Sequence, residues 1–145
     1  MKRVTHPGGP RNPAGPVPPP EGWEPTAPPP KDLMRTYVIG FLYRAAAPPP
    51  MPEAELDALQ RAHLGYMARL ATQGTLLLAG PFLDDTDLRG ICLYAVETLE
   101  DARSLGEGDP AVRAGRLRFE YHPWYGPRVI TSALLRAGKT GEGSP

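Results

Sequence analysis

The sequence contains a single cysteine, Cys92, in a chain of 145 residues. One cysteine cannot form an internal disulfide, and the lack of a disulfide framework is typical of a cytosolic protein. Cys92 lies in an apolar run, where a cysteine most often serves as a small buried hydrophobic side chain. Because the three histidines are also widely spaced, no cluster of zinc ligands is visible. We therefore expect a cytoplasmic protein without a metal site.

An excess of charge of either sign is also missing, since 16 lysine and arginine residues balance 16 aspartate and glutamate residues. Basic residues do not cluster on any short segment, so we expect neither nucleic acid nor a membrane surface as a partner. No apolar run approaches the roughly 20 residues that cross a bilayer. No apolar stretch follows the basic first residues, as a secretory signal would require.

Residues 1–33 are rich in proline, which supplies eleven of the first thirty positions. Such a segment cannot bury enough apolar surface to offset the entropy lost on ordering, so we predict a disordered tail. Its proline triplets favour polyproline II, which can bind aromatic-lined grooves, although a passive tail is the simpler interpretation. Met34 is an alternative natural start, because the folded pattern begins just after it.

Residues 34–127 carry the pattern of one folded domain. Residues 36–43 are β-branched and aromatic, and their apolar character on both faces predicts a central first strand. Helical spacing of apolar residues predicts a helix over 53–73. Two short strands, over 75–79 and 88–96, are separated by a polar turn and are expected to form an antiparallel hairpin.

The rest of the domain predicts a short helix over residues 99–105, a further turn capped by Asp109, and a fourth strand over 116–122. The order β-α-β-β-α-β is typical of the split βαβ, ferredoxin-like fold. We therefore predict an α+β protein with a four-stranded antiparallel sheet and two helices on one face. The other face would stay open, so we expect a homodimer that packs two such faces together as a dimeric α/β barrel. Residues 128–145 form a C-terminal extension, predicted to be partly disordered, whose docking on the domain is left open.

Two polar residues in this pattern need an explanation. His63 falls on the apolar face of the first helix, where an imidazole without a partner is costly. Asp109 precedes a proline, a position at which aspartate is usually only a cap or turn residue. If the fold brings the two together, the carboxylate fixes the ring tautomer and the other ring nitrogen can exchange a proton. The alternative is a satisfied core histidine and a turn aspartate without chemistry.

Several short motifs together resemble those of the YCII-related (YciI-like) family over about residues 34–127. They are His63-Leu64-Gly65-Tyr66-Met67, Ala79-Gly80-Pro81-Phe82, the helix start at Thr98, Gly108-Asp109-Pro110, and the ending Pro123-Trp124. A related family carries Asp-Gly-Pro-Phe, so the alanine at position 79 favours the YciI-like branch. The resemblance implies a ferredoxin-like fold, a homodimer, no obligatory cofactor, and a pocket with a dyad at His63 and Asp109. For some relatives it implies lyase or dehalogenase-type acid/base chemistry on a small organic molecule.

Further residues are expected to line that pocket, although each also has a simpler structural role. They are Tyr37, Tyr66, Gly80, Pro81 and Trp124. The two tyrosines are as well explained as core residues, the Gly-Pro pair would shape the pocket floor through its backbone, and the tryptophan would close the pocket mouth or a dimer contact.

The sequence leaves the function open between an enzyme and a binding protein. No nucleophile stands out, because Ser104 and Thr75 lie in no catalytic signature, so catalysis would depend on the acid/base pair. In the alternative, a non-catalytic small-ligand-binding or accessory domain uses the same pair only to organise its pocket. A third hypothesis is a scaffold that is recruited through the proline-rich head.

Overall fold

The computed structural model describes residues 31–131, 133 and 134. Residues 1–30 of the predicted tail (1–33), residue 132 and the C-terminal end from 135 onward lie outside the described residues. A 3-10 turn at Lys31–Leu33 precedes the first strand. The strands are β1 (Met34–Arg44), β2 (Leu76–Pro81), β3 (Leu88–Tyr94) and β4 (Leu117–Pro127). The helices are α1 (Glu53–Thr72), α2 (Leu99–Glu107) and α3 (Pro110–Arg113).

The strands form one open sheet in the order β2-β3-β1-β4, and all neighbouring strands are antiparallel. β1 lies between β3 and β4, as its apolar character on both faces predicts. The element order and the strand order are those of the ferredoxin-like α+β fold. The predicted four-stranded antiparallel sheet with helices is therefore confirmed.

Both long helices pack on the same face of the sheet. The buried cluster there contains Val38, Cys92 and Tyr94 from the strands, Leu70 from α1 and Ala102 from α2. Because side chains alternate along a strand, the residues between these positions point to the other side. We call the side of Val38 the covered face and the opposite side the open face.

α1 begins and ends where the sequence predicts, within one residue. Glu53 and Glu55 lie in its first turn, where acidic side chains favour the helix dipole. Gly74 follows the helix with a φ of 78°, a left-handed conformation that glycine adopts without steric cost. Neither α1 nor any other helix in residues 31–134 is long and apolar enough to span a membrane.

The prediction that the fourth strand ends at His122 is wrong, because β4 continues to Pro127. Pro123 pairs with Val38, and Trp124 pairs with Tyr37. A proline cannot donate a ladder hydrogen bond, but an edge strand has a neighbour on one side only and tolerates it. β4 is an edge strand, and so is β2, which ends at its own proline, Pro81.

Gly106 marks the tightest contact between α2 and β4. A Cβ at this position would collide with the hydroxyl of Tyr121 and lie 3.0 Å from Cδ2 of Phe119. We expect Gly106→Ala to lower the free energy of unfolding by about 2 kcal/mol through overpacking, as chemical denaturation would measure. Gly65→Ala is the matched control, because a Cβ there meets nothing within 4 Å. It should stabilise α1 by about 0.5–1 kcal/mol, and equal effects of both changes would contradict the packing argument.

Candidate functional site

His63 and Asp109 form a buried hydrogen bond. Nδ1 of His63, on α1, lies 2.6 Å from Oδ2 of Asp109, which directly precedes α3. His63 is 8% exposed and Asp109 is completely buried. The bond joins two helices that pack against each other, across a separation of 46 residues in the sequence. The fold therefore brings His63 and Asp109 together. Their catalytic role stays a prediction.

Asp109 is oriented by the backbone as well as by His63. It is the N-cap of α3, and its Oδ1 accepts a hydrogen bond of 2.9 Å from the backbone N–H of Ala111. Pro110 occupies the first helical position, where its missing N–H costs nothing. Both carboxylate oxygens are therefore held, so Oδ2 presents a fixed acceptor to the imidazole.

This arrangement determines which ring nitrogen of His63 can act on a ligand. A carboxylate only accepts hydrogen bonds, so Nδ1 must carry the proton that it donates to Asp109. In the neutral ring, Nε2 is then left with a free lone pair. Every buried side-chain N or O atom of the described residues has a hydrogen-bond partner. Nε2 of His63 has no such partner, since the hydrogen bond of the ring is made by Nδ1. Nε2 is therefore not completely buried, although the His63 side chain as a whole is only 10% exposed.

Tyr66 lies one turn after His63 on α1 and supports the same region. Its hydroxyl donates a hydrogen bond of 2.5 Å to the backbone oxygen of Leu105 on α2. Burial raises the pKa of the Tyr66 phenol, and the negative charge of Asp109 raises it further, while Arg69 lowers it. The phenol therefore stays protonated and ties α1 to α2 beside the pair. Contact of Tyr66 with a substrate stays a prediction.

Cys92 lies in the core below the helices and is inert. Burial raises the pKa of its thiol to about 12 and also raises the pKa of the neighbouring Tyr94 phenol. Because the thiolate is the reactive form, a thiol that stays protonated is a poor nucleophile. The interpretation of Cys92 as a buried hydrophobic residue is confirmed.

The other predicted pocket residues lie apart from the pair. The rings of Tyr37 and Trp124 lie on the open face, tilted by 41° with centroids 5.7 Å apart, and the Tyr37 hydroxyl donates to the backbone oxygen of Pro127 at 2.6 Å. Gly80 and Pro81 are exposed at the end of edge strand β2. None of these four residues makes a described contact with His63 or Asp109. Their predicted role in substrate binding stays a prediction.

A cavity of about 340 Å³ lies between α1, α3 and one end of the sheet. Leu59 and Gln60 line it and precede His63 by about one helical turn, or roughly 5.4 Å along the axis. Ala111, whose N–H holds Asp109, also lines the cavity. His63 itself is not in the lining, so the cavity adjoins the pair and does not enclose it.

The sequence reasoning missed the arginines of this cavity. Arg44, Arg89 and Arg116 come from three separate strand ends and meet only in the folded chain. In the sequence each stands alone, so no local signal could have found them. Among the described residues, no group of three or more His, Cys, Asp or Glu side chains is arranged to hold a metal ion.

Comparisons with known proteins identify the family. No curated protein matches the chain. One solved structure that it resembles is 5-chloro-2-hydroxyhydroquinone dehydrochlorinase (TftG) from Burkholderia phenoliruptrix AC1100, in complex with 2,5-dihydroxybenzoquinone. The identity is 23%, the match covers 62% of this chain and 93% of that chain, and the TM-score is 0.44. The family model of the YCII-related domain matches residues 41–124, more than half of the sequence. The chain therefore belongs to the YCII-related domain family.

Proposed function

We propose that the protein is an enzyme that acts on a small organic molecule by acid/base catalysis. Nε2 of His63 takes and returns the proton, and Asp109 holds the ring in the tautomer that makes this possible. The observation that carries the proposal is the buried 2.6 Å hydrogen bond at Nδ1, which leaves Nε2 as the accessible base. The family resemblance implies chemistry of the same kind.

Two reactions suit a base of this kind. In the first, Nε2 removes a proton from a carbon next to a carbonyl and later returns it. In the second, it removes a proton while a carbon–carbon double bond forms and a neighbouring carbon–halogen bond breaks, so that the halide leaves with the bonding electrons. Both need one positioned proton acceptor, and a positioned general base typically accelerates such steps by about a hundredfold to ten-thousandfold.

The proposal is tested by proton exchange, which needs no knowledge of the complete reaction. The protein is incubated in D₂O with a panel of small carbonyl and halogenated compounds, and NMR follows deuterium uptake at carbon while an electrode follows halide release. We expect at least one compound to react with wild-type protein and not with His63→Asn. A panel on which wild type and His63→Asn behave alike would contradict the proposal.

His122→Asn is the matched control for this screen. His122 also has a carboxylate partner, since its Nε2 lies 2.6 Å from Oε1 of Glu120. It is exposed on β4, away from the helix pair, but its ring lies 5.7 Å from that of Phe41 on the open face. Its loss should leave the reaction unchanged in protein that keeps the solution mass of wild type. An equal loss of activity in both histidine variants would show that the effect does not come from His63.

A non-catalytic binding domain is the second candidate, and one observation favours it. Asp109 caps α3 and at the same time bonds to α1, so the pair already has a structural use without any reaction. This candidate predicts that changes at the pair affect stability alone. The enzyme hypothesis predicts a loss of rate even in variants that keep their stability.

A homodimer is part of the proposal, because the open face carries apolar side chains that one chain leaves uncovered. Leu78 is 42% exposed and Trp124 is 36% exposed, and Ile39, Phe41 and Ile91 on the same face are only half-buried. Packing two such faces together would remove this surface from water.

The dimer has a direct test in the solution mass. Light scattering at micromolar concentration should give twice the chain mass of 15.7 kDa for wild type and the single chain mass for Phe41→Asp. The control is Leu64→Asp, which changes an apolar residue that is 56% exposed on the outer side of α1 and should leave the dimer intact. A monomeric wild-type protein would overturn the interface.

A further inference from the structure

Three arginine residues line the cavity next to the His63–Asp109 pair. They are Arg44 at the end of β1, Arg89 in β3 and Arg116 just before β4, and we call them the arginine cluster. The backbone brings them together, since the N–H of Ala45 donates to the oxygen of Arg116 at 3.0 Å. All three residues border the same space, where their guanidinium groups could donate hydrogen bonds to a bound anion.

An irregularity in the sheet lies at Arg89. The register between β1 and β3 shifts so that Leu42 opposes Gly90 while Tyr43 opposes Leu88, and Arg89 has no opposite residue. Regular alternation from Gly90 would send Arg89 to the open face. At the bulge, Arg89 is one of the residues that line the cavity, and bulges are often found near functional sites.

The protein offsets the charge of the cluster only in part. Asp85 lies 3.8 Å from Arg44 and 3.9 Å from Arg89, and because its side chain is 93% exposed, both ion pairs are weak. Arg116 donates to the backbone oxygen of Pro49 at 2.6 Å, and no described carboxylate pairs with it. Asp57 is the one carboxylate in the lining itself. Arg89 also donates to the backbone oxygens of Asp84 at 3.5 Å and Thr86 at 3.2 Å. Three arginines and two carboxylates leave a net positive charge at the cavity.

The cavity lining also contains three leucines. Leu56, Leu59 and Leu117, which we call the leucine wall, face the space that the arginine cluster borders. A volume of about 340 Å³ falls at the lower end of the range of roughly 300–1,000 Å³ that is usual for small-molecule sites. A site that combines cations at one end with an apolar wall suits a small acid with an apolar body, and not a bare inorganic anion.

We propose that this cavity binds a small organic carboxylate, with the carboxylate on the arginine cluster and the apolar body along the leucine wall. Guanidinium groups match a carboxylate geometrically and can bind it through two parallel hydrogen bonds. The bound molecule is the substrate if the proposed function holds, since the cavity ends about one helical turn from His63. The inference thus names the substrate class of the proposed enzyme.

Binding of benzoate to the full-length protein tests the inference, with amide NMR shifts as the readout and Ala111 as a reporter in the lining. We expect saturable benzoate binding and weaker binding of benzyl alcohol, its neutral counterpart. Arg116→Gln should weaken benzoate binding about tenfold, since a charge-assisted hydrogen bond is worth roughly 1.5 kcal/mol or more. Combining it with Arg44→Gln should weaken binding further. Arg61→Gln, an exposed change on α1 outside the lining, should have no effect.

Each contrary result overturns the inference. Benzoate that causes no shifts in the lining, benzyl alcohol that binds equally well, or affinity that survives both arginine changes would each do so. If inorganic phosphate displaced benzoate at equal concentration, the cavity would be an unselective anion site and not a site for an organic carboxylate. His63→Asn should still bind benzoate. Benzoate binding without any turnover would count against the proposed function alone, and turnover without an effect of the arginine changes would count against this inference alone.

Discussion

Asp109→Ala is expected to lower the free energy of unfolding by about 3 kcal/mol. The change removes the helix cap that Oδ1 provides to Ala111, which is worth about 1 kcal/mol. It also leaves the Nδ1–H of His63 buried without an acceptor, at a cost of roughly 1–3 kcal/mol. Chemical denaturation followed by circular dichroism measures the effect.

Two control variants separate the parts of this effect. Asp109→Asn keeps an oxygen for Ala111 and nearly the same shape, so it should cost only about 1 kcal/mol. Asp101→Ala removes an exposed acidic residue from the first turn of α2 and should cost less than about 1 kcal/mol. If Asp109→Ala destabilised the protein no more than Asp101→Ala, the buried hydrogen bond between His63 and Asp109 would contribute little to the free energy of unfolding.

His63→Asn is expected to reduce the rate of the reaction by about a hundredfold to ten-thousandfold while largely preserving stability. The asparagine amide can still donate a hydrogen bond to Asp109, so the carboxylate keeps a partner. The variant lacks Nε2, however, and with it the group that would take the proton. Initial rates on the compound found in the exchange screen, together with denaturation curves, measure the two quantities separately.

The outcome for Asp109→Asn sharpens this prediction. An asparagine NH₂ group facing the ring would favour the tautomer in which Nδ1 accepts and Nε2 carries the proton. The rate should then fall although the imidazole is still present. An unchanged rate in either His63→Asn or Asp109→Asn, in a correctly folded variant, would contradict acid/base catalysis by the pair.

Much of the fold was predictable because local patterns and packing agree. The apolar stripe of α1 and the alternation of β4 predicted their elements, and the stripe also showed that His63 needs a buried partner. The identity of that partner could not come from spacing, since Asp109 is 46 residues away. It came from the family resemblance, and the hydrogen bond between the two side chains agrees with that choice.

The features that sequence reasoning missed depend on the sheet as a whole. The length of β4 depends on its edge position, which no local pattern records. The placement of Arg89 depends on a register shift between two strands. The placement of Tyr37 on the open face was also out of reach, because β1 is apolar on both sides and the sequence could not tell which of its residues face the helices.

The two ring nitrogens of His63 provide the most direct test of the proposed site. Long-range ¹H–¹⁵N correlation spectra report which nitrogen of a neutral imidazole carries the proton. We predict that Nδ1 of His63 is protonated and that Nε2 is not, whereas His122 should carry its proton on Nε2, next to Glu120. A neutral His63 with its proton on Nε2 would contradict the account, because that ring could neither donate to Asp109 nor accept a proton from a substrate.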